Sequence, residues 1–331
     1  MNETLPTLPQ RTPTGHKGTF GAVTVFGGSA SDGSMMIGAP ALAATAALRS
    51  GAGLAKIAAT RRVLDAALAT CPSATGLEIE ATAAGEMSAQ SAIQILDASG
   101  DASDALVIGP GLGLSDAASA LVLRAMQQED APAVLDADAL TLLSRMPEPT
   151  RDLRAPCVLT PHPGEFARLA SALSIAGDPS SPDDRPRLTE ELAQRLGAVV
   201  VLKGARTVAS DGHRSWTCER IEPVLATGGT GDVLAGAIAG IIAQHVRIAA
   251  HPLMRDPTSI DLYEAACAGV EAHARAAASW ARAPPGPRGG QAGGKKETAG
   301  GGRWGIDAPE RGEAGWRKSW TKKKENEGCI E

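Results

Sequence analysis

The chain has 331 residues, 43% of them hydrophobic and 21% charged, with a formal net charge of −5 at pH 7. That balance describes a globular chain long enough for one large domain or two small ones, and with aromatics at only 3% its core must come from Ala, Val, Ile and Leu. Residues 282–331 carry 11 Lys/Arg against 7 Asp/Glu while the preceding 281 carry 21 against 30, and an acidic body excludes broad nucleic-acid binding, which needs a positive face toward phosphates.

In chain order, Ala22–Phe26 reads as a strand followed by a Gly/Ser loop over 27–33. Pro40–Ser50 is a helix of small residues and Leu54–Ala59 a second strand. Ala105–Ile108 is a strand closed by Gly109–Gly113, and Ser115–Gln128 is a helix with Ser115 as its N-cap. Ala133–Leu135 is a strand ending at Asp136 and Asp138, and Cys157–Thr160 one ending at Pro161–Glu165. Residues 177–187 read as a solvated loop before a helix over Leu188–Leu196. Val199–Leu202 is a strand ending in Lys203 and Gly204, and Val208–Ser210 turns at Asp211-Gly212 in a hairpin. Gly228–Asp232 opens an apolar helix over Val233–Gln244, and Leu262–Ala278 is the last helix. Apolar strands alternating with helices predict an α/β fold with a mostly parallel central sheet flanked by helices. Ligands of such sheets sit at the carboxyl ends of the strands, where this chain keeps its Gly, Asp, His and Lys residues.

The composition shift near Arg282 predicts a domain over residues 1–281 and a disordered Gly/Lys-rich tail over 282–331. Met1–Gly18 has no apolar core of a secretory signal, and Arg49 and Lys56 interrupt the longest apolar stretch, so a cytoplasmic protein without a membrane span is expected. The five cysteines are far apart and never in a C-x-x-C pair, as reduced thiols would be.

Four segments can carry chemistry. Ala226-Thr-Gly-Gly-Thr-Gly-Asp232 precedes a helix, and its glycines let several N–H groups point one way at the positive helix end. Gly229 and Gly231 would cradle a phosphoryl group, and Asp232 would take a proton from an attacking hydroxyl; a plain helix cap would use the same carboxylate. Lys203 and Gly204 end a buried strand, where the lysine would meet a nucleotide phosphate or simply reach solvent. In Thr160-Pro-His-Pro-Gly-Glu165, two prolines fix His162 and Glu165. Glu165 would hold a metal-bound water or satisfy the first turn of a helix. Gly109-Pro-Gly-Leu-Gly113 permits close approach of a ligand to the backbone. Neither G-x-G-x-x-G nor G-x-x-x-x-G-K-[ST] is present, which excludes the Rossmann fingerprint and the P-loop.

Taken in order, these segments, with His16-Lys-Gly-Thr-Phe-Gly21 and Ala46-Ala-Leu-Arg-Ser-Gly-Ala-Gly-Leu54, resemble the ADP/ATP-dependent NAD(P)H-hydrate dehydratase family on the ribokinase-like fold. The resemblance implies repair of the 6S hydrate of NADH or NADPH through a phosphorylated intermediate, with ADP or ATP as co-substrate and Mg²⁺ as cofactor. It places the nucleotide on Lys203, Gly204, Ala205, Arg206, Thr207 and Gly231. It places the hydrate against Ala39, Gly111, His162 and Asp232, and sets Glu165 where related sugar kinases carry a metal-linked glutamate. Glu222 stands where the family has Asn, an extra negative charge at the phosphate site. Only some 15 residues precede the match, so no epimerase activity is expected. No nucleic-acid or membrane partner is implied, and the fold is one that often forms homo-oligomers. A small-molecule kinase acting on a vitamin-precursor alcohol, and a non-catalytic adenine-nucleotide-binding protein, fit the same motifs and stay open.

Overall fold

The computed structural model describes residues 5–31, 34–100, 102–246 and 259–282. Of the tail read from composition over 282–331, Arg282 closes the last helix and residues 283–331 lie outside the described residues, as do Asp32 and Gly33 of the first glycine loop. In chain order the elements are β1 (Ala22–Phe26), β2 (Ser29–Ser31), β3 (Ser34–Met36), α1 (Gly38–Arg49), β4 (Leu54–Thr60), α2 (Arg61–Thr70), β5 (Thr75–Ile79), α3 (Ala89–Gly100), β6 (Ala105–Ile108), α4 (Asp116–Gln127), β7 (Ala133–Leu135) and α5 (Asp138–Leu143). They continue with α6 (Pro149–Asp152), β8 (Cys157–Leu159), α7 (Pro163–Ala172), α8 (Arg185–Leu196), β9 (Val199–Leu202), β10 (Val208–Ser210), β11 (Ser215–Thr217), α9 (Thr230–His245) and α10 (Leu262–Arg282).

Nine strands form one sheet in the order β11-β10-β9-β8-β7-β6-β1-β4-β5. The seven from β9 to β5 run parallel, and β10 and β11 add an antiparallel edge. The chain starts in the middle at β1, winds out to β5, returns to β6 and then winds the other way. The switch point therefore falls between β1 and β6, whose following loops meet there, the Gly28 amide donating to the Pro110 carbonyl at 2.9 Å. A separate hairpin pairs β2 with β3.

Period-two alternation divides the core, because successive side chains on a strand face opposite sides of the sheet. Val23, Val25, Val107 and Val201 pack on one face with helices α1, α2, α9 and α10. Phe26, Leu106, Ile108, Val200 and Leu202 pack on the other with α3, α4, α5, α7 and α8. Both faces are covered, so the strands read as unbroken apolar runs. The weakly patterned α2, β5 and α3 escaped the sequence reading. The 177–187 loop ends sooner than its polarity suggested: α8 begins at Arg185, whose side chain is buried against carbonyl groups.

Helix α9 supports the site and lies close against α1. A Cβ at Gly236 would be driven into the Ala43 carbonyl oxygen. Gly236→Ala should gain about 1 kcal/mol of helix propensity but lose more to a backbone clash, since overpacking costs about 1–3 kcal/mol. We expect a lower urea midpoint for the variant at unchanged m-value; an equal or higher midpoint would show that the helices are not in tight contact.

Candidate active site

The site is assembled where the parallel strands end. β7 delivers Asp136, β8 delivers Thr160 and His162, and β9 delivers Lys203. Lys203 Nζ lies 2.6 Å from Asp136 Oδ1 and 3.9 Å from Glu165 Oε2. The Thr160 hydroxyl donates to the same Asp136 oxygen at 2.7 Å. Burial works against the Lys203 charge, but Asp136 and Glu165 outweigh it and hold its pKa above the ordinary lysine range. The lysine is thus a fixed cation inside the sheet's open end rather than a solvent-reaching side chain.

His162 and Glu165 build the start of α7. The Glu165 carboxylate accepts from the His162 amide at 2.9 Å, and His162 Nδ1 accepts from the Gly164 and Glu165 amides at 3.0 and 3.4 Å. This reciprocal cap satisfies helix-end donors, and its proline at the first helical position explains the rigid Pro-His-Pro spelling. Burial raises the pKa of Glu165 against the pull of Lys203. Burial, then Lys203 and Arg168, lower that of His162, so its imidazole is neutral near pH 7. Glu165 Oε1 stays 3.3 Å from His162 Nε2.

Asp232 behaves differently. The N-cap of α9 is Gly229 at φ 90°, with no side chain to cap the helix, and Asp232 follows as its third residue. Among the described residues no donor bonds to the Asp232 carboxylate, and the amides of Gly231 and Asp232 have no acceptor. The cap alternative is therefore not what the sequence built: the first turn keeps its amides open to an anion. A Cβ at Gly231 would sit 3.3 Å from Lys203 Nζ and 3.8 Å from Asp136 Oδ2, which puts this turn beside the ion pair. Burial first, then Asp136 and Asp138, push the Asp232 carboxyl up to about 6 against the opposing Lys203 charge.

A cavity of about 260 Å³ opens next to this cluster, lined by Lys203, Gly204, Ala205, Thr207, Gly231 and Glu222 among others. Its wall is largely apolar, with Leu225, Leu234, Val270 and His273. Arg206 stands outside it, 3.2 Å from Glu219. Burial and Lys203 lower His273 to about 4, so this ring is neutral as well, and its buried Nε2 has no hydrogen-bond partner among the described residues. On the other side of Asp232, the Gly113 amide donates to Asp138 at 2.8 Å. Gly111 adjoins Ala39, whose Cβ lies 3.3 Å from the place a Gly111 Cβ would take. Asp136 as the partner of Lys203, and His273 in the cavity wall, were not legible in the sequence. The pair joins residues 67 apart in the chain, and His273 sits in an ordinary alanine-rich helix.

Fold and cleft together define a ribokinase-like α/β protein with an open helix end, a carboxylate held beside it, and a largely apolar cavity next to both. A ribokinase-like superfamily protein from Enterococcus faecalis superposes with a TM-score of 0.64 at 27% identity, covering 83% of this chain and 84% of that one. The ADP/ATP-dependent NAD(P)H-hydrate dehydratase from Bacillus subtilis, co-crystallised with ATP and Mg²⁺, superposes with a TM-score of 0.62 at 30% identity, covering 83% and 86%. The ADP-dependent (S)-NAD(P)H-hydrate dehydratase of Neisseria meningitidis is 37% identical over 268 residues, 79% of this chain and 78% of that protein. The family model described as NAD(P)H-hydrate dehydratase matches residues 23–285, and the chain belongs to that family. It spans less than half the length of other relatives: 44% of the bifunctional NAD(P)H-hydrate repair enzyme of Moorella thermoacetica, at 38% identity. Among the described residues no helix is long and apolar enough to cross a membrane.

The raised carboxyl of Asp232 has a sign in stability. A folded pKa of about 6 against an ordinary 3.8 means that the folded state holds the proton more tightly. That contribution is full below the ordinary value and is lost as pH rises through 6. Asp232→Asn should therefore melt above wild type at pH 7.5, with the gap closing as the pH falls to 4. A gap that stays the same across that range would show that Asp232 is not destabilised by ionisation.

Proposed function

We propose that this protein dehydrates the 6S hydrate of NADH or NADPH, using ADP or ATP, and so returns the damaged cofactor to its working form. The observation that carries the reading is the uncapped first turn of α9, with a free carboxylate poised about two pH units above its ordinary value. A general base works best when its pKa lies near the working pH, and Asp232 is such a base. It takes the proton from the C6 hydroxyl of the hydrate, and the freed oxygen attacks the terminal phosphoryl of the nucleotide. The amides around Gly229 and Gly231 receive the charge that develops on the phosphoryl oxygens. Phosphate then departs from C6 as the ring nitrogen pushes its lone pair in, and the iminium so formed loses a proton from C5 to restore the double bond, which leaves NAD(P)H, inorganic phosphate, and AMP or ADP.

The nucleotide fits the cavity beside Lys203, with its phosphates toward Gly231. The two open amides of the α9 turn and the buried, unpartnered His273 Nε2 are polar groups of the kind that a bound nucleotide satisfies. The hydrate fits the other side, against Ala39, Gly111 and His162. Glu222 faces the nucleotide cavity as a negative group and opposes the phosphates through the Coulomb interaction, most strongly at low salt.

Mg²⁺ accords with a nucleotide-borne role. It takes one or two carboxylates plus phosphate oxygens and waters, and Glu165 would reach it through a water. Among the described residues no group of three or more His, Cys, Asp and Glu side chains is arranged to hold a metal unaided. When bound, the ion would neutralise charge on the phosphoryl oxygens.

Purified protein incubated with NADH hydrate, Mg²⁺ and either ADP or ATP should restore the near-ultraviolet absorbance of the dihydronicotinamide. Turnover should fall below pH 6 with unit slope as Asp232 takes up its proton, and Asp232→Asn should lower kcat by a factor on the order of 10³. No recovery of absorbance with either nucleotide would refute the reading. A stable phosphorylated product in the mass spectrum would indicate a kinase instead.

A further inference from the structure

Two buried side-chain nitrogens among the described residues lack a hydrogen-bond partner, His273 Nε2 and Arg185 Nε. The first lies in the cavity wall, and the second lies behind it. Arg185 is the first residue of α8 and is 5% exposed. Its Nη1 donates to the Pro179 carbonyl at 2.8 Å, and its Nη2 donates to the carbonyls of Leu202 at 2.7 Å and Lys203 at 3.1 Å. A Cβ at Gly204 would sit 3.2 Å from both Nη atoms, so a single thickness of backbone separates the guanidinium from the cavity.

This residue breaks three local rules. A buried charge is ordinarily paired, yet among the described residues no carboxylate pairs with Arg185, and burial alone acts on it, lowering its pKa. A cation is disfavoured at the positive end of a helix, where Arg185 stands. Its Nε is unsatisfied, and an apolar side chain would carry none of these costs. Broken local rules of this kind concentrate at functional sites. The cluster above explains the need: Lys203 is one cation among the three carboxylates Asp136, Glu165 and Asp232, which offset the attraction that the open amides of α9 exert on a phosphate.

We propose that Arg185 is a positioning residue for the nucleotide: its guanidinium fixes the Leu202–Gly204 turn and sets an uncompensated positive charge beneath the nucleotide phosphates. The inference rests on the nucleotide reading of the cavity given above. Arg185 touches no reacting atom; it acts through the backbone that aims Lys203 and through its field.

The test is calorimetric titration of ADP into the full chain, with thermal melts in parallel, for wild type, Arg185→Met, Arg185→Lys and the control Arg187→Met, whose exposed side chain pairs with Glu191 at 3.2 Å. Arg185→Met should weaken ADP binding about tenfold and flatten its dependence on salt, because a fixed charge is lost. Arg185→Lys keeps the charge without the planar fork; it should weaken binding about threefold and retain the wild-type salt slope. The KM for the hydrate should move less than twofold in both, and Arg187→Met should bind ADP as wild type does. Should Arg185→Met fail to melt cooperatively, Arg185→Lys decides by the same readings. Lowered melting temperatures with ADP affinity and salt slope unchanged would make Arg185 purely structural and overturn the proposal. Absence of ADP binding by wild type would instead remove the nucleotide reading, and this inference with it.

Discussion

The buried pair of Asp136 and Lys203, 2.6 Å apart at the ends of β7 and β9, is the interaction on which the rest of the site depends. It spans β8, which lies between them and contributes the Thr160 hydroxyl to the same aspartate oxygen. A buried pair of this kind adds little net stability, because desolvation offsets the attraction. Its effect is on the neighbours. It holds a cation next to the α9 terminus, and it leaves Asp136 close enough to raise Asp232. Three side chains from separate strands and one from a helix thereby share a single electrostatic balance.

That balance explains why the half-buried Asp232 and the buried Glu165 have different roles although both carboxylates lie within reach of the Lys203 charge. Glu165 accepts from the His162 amide, so part of its capacity is committed to the α7 cap. Asp232 has no such donor, and its helix begins on a glycine that cannot cap. The fold leaves the second carboxylate and two amides unsatisfied in one place. That arrangement costs stability and offers reactivity, the usual exchange at catalytic sites. Arg185 extends the pattern behind the Leu202–Gly204 turn, where a buried cation is kept despite its cost.

Much of this was legible in the sequence, and the reason is local. The strand ends are marked by a change from apolar runs to Gly, Asp, His or Lys, and a parallel sheet gathers such ends on one side. The Gly-Gly-Thr-Gly-Asp spelling before an apolar helix already specified the open turn. What stayed hidden was non-local. Strand order decides that Lys203 meets Asp136, and nothing in either segment points to the other. Arg185 was read as part of a polar loop because its neighbours are Asp, Pro and Arg, and only the packing of α8 on β9 buries it. The helix α3 and strand β5 were missed because their sequences mix polar and small residues with no clean period.

The account turns on a carboxyl group held protonatable near neutrality by burial and by the aspartate beside it. The direct measurement is the ¹³C shift of the Asp232 carboxyl as a function of pH in labelled protein, assigned by its loss in Asp232→Asn and repeated in Asp136→Asn. The account predicts a midpoint near 6 that moves down when the neighbouring charge is removed. A midpoint close to the ordinary 3.8 in both proteins would contradict it.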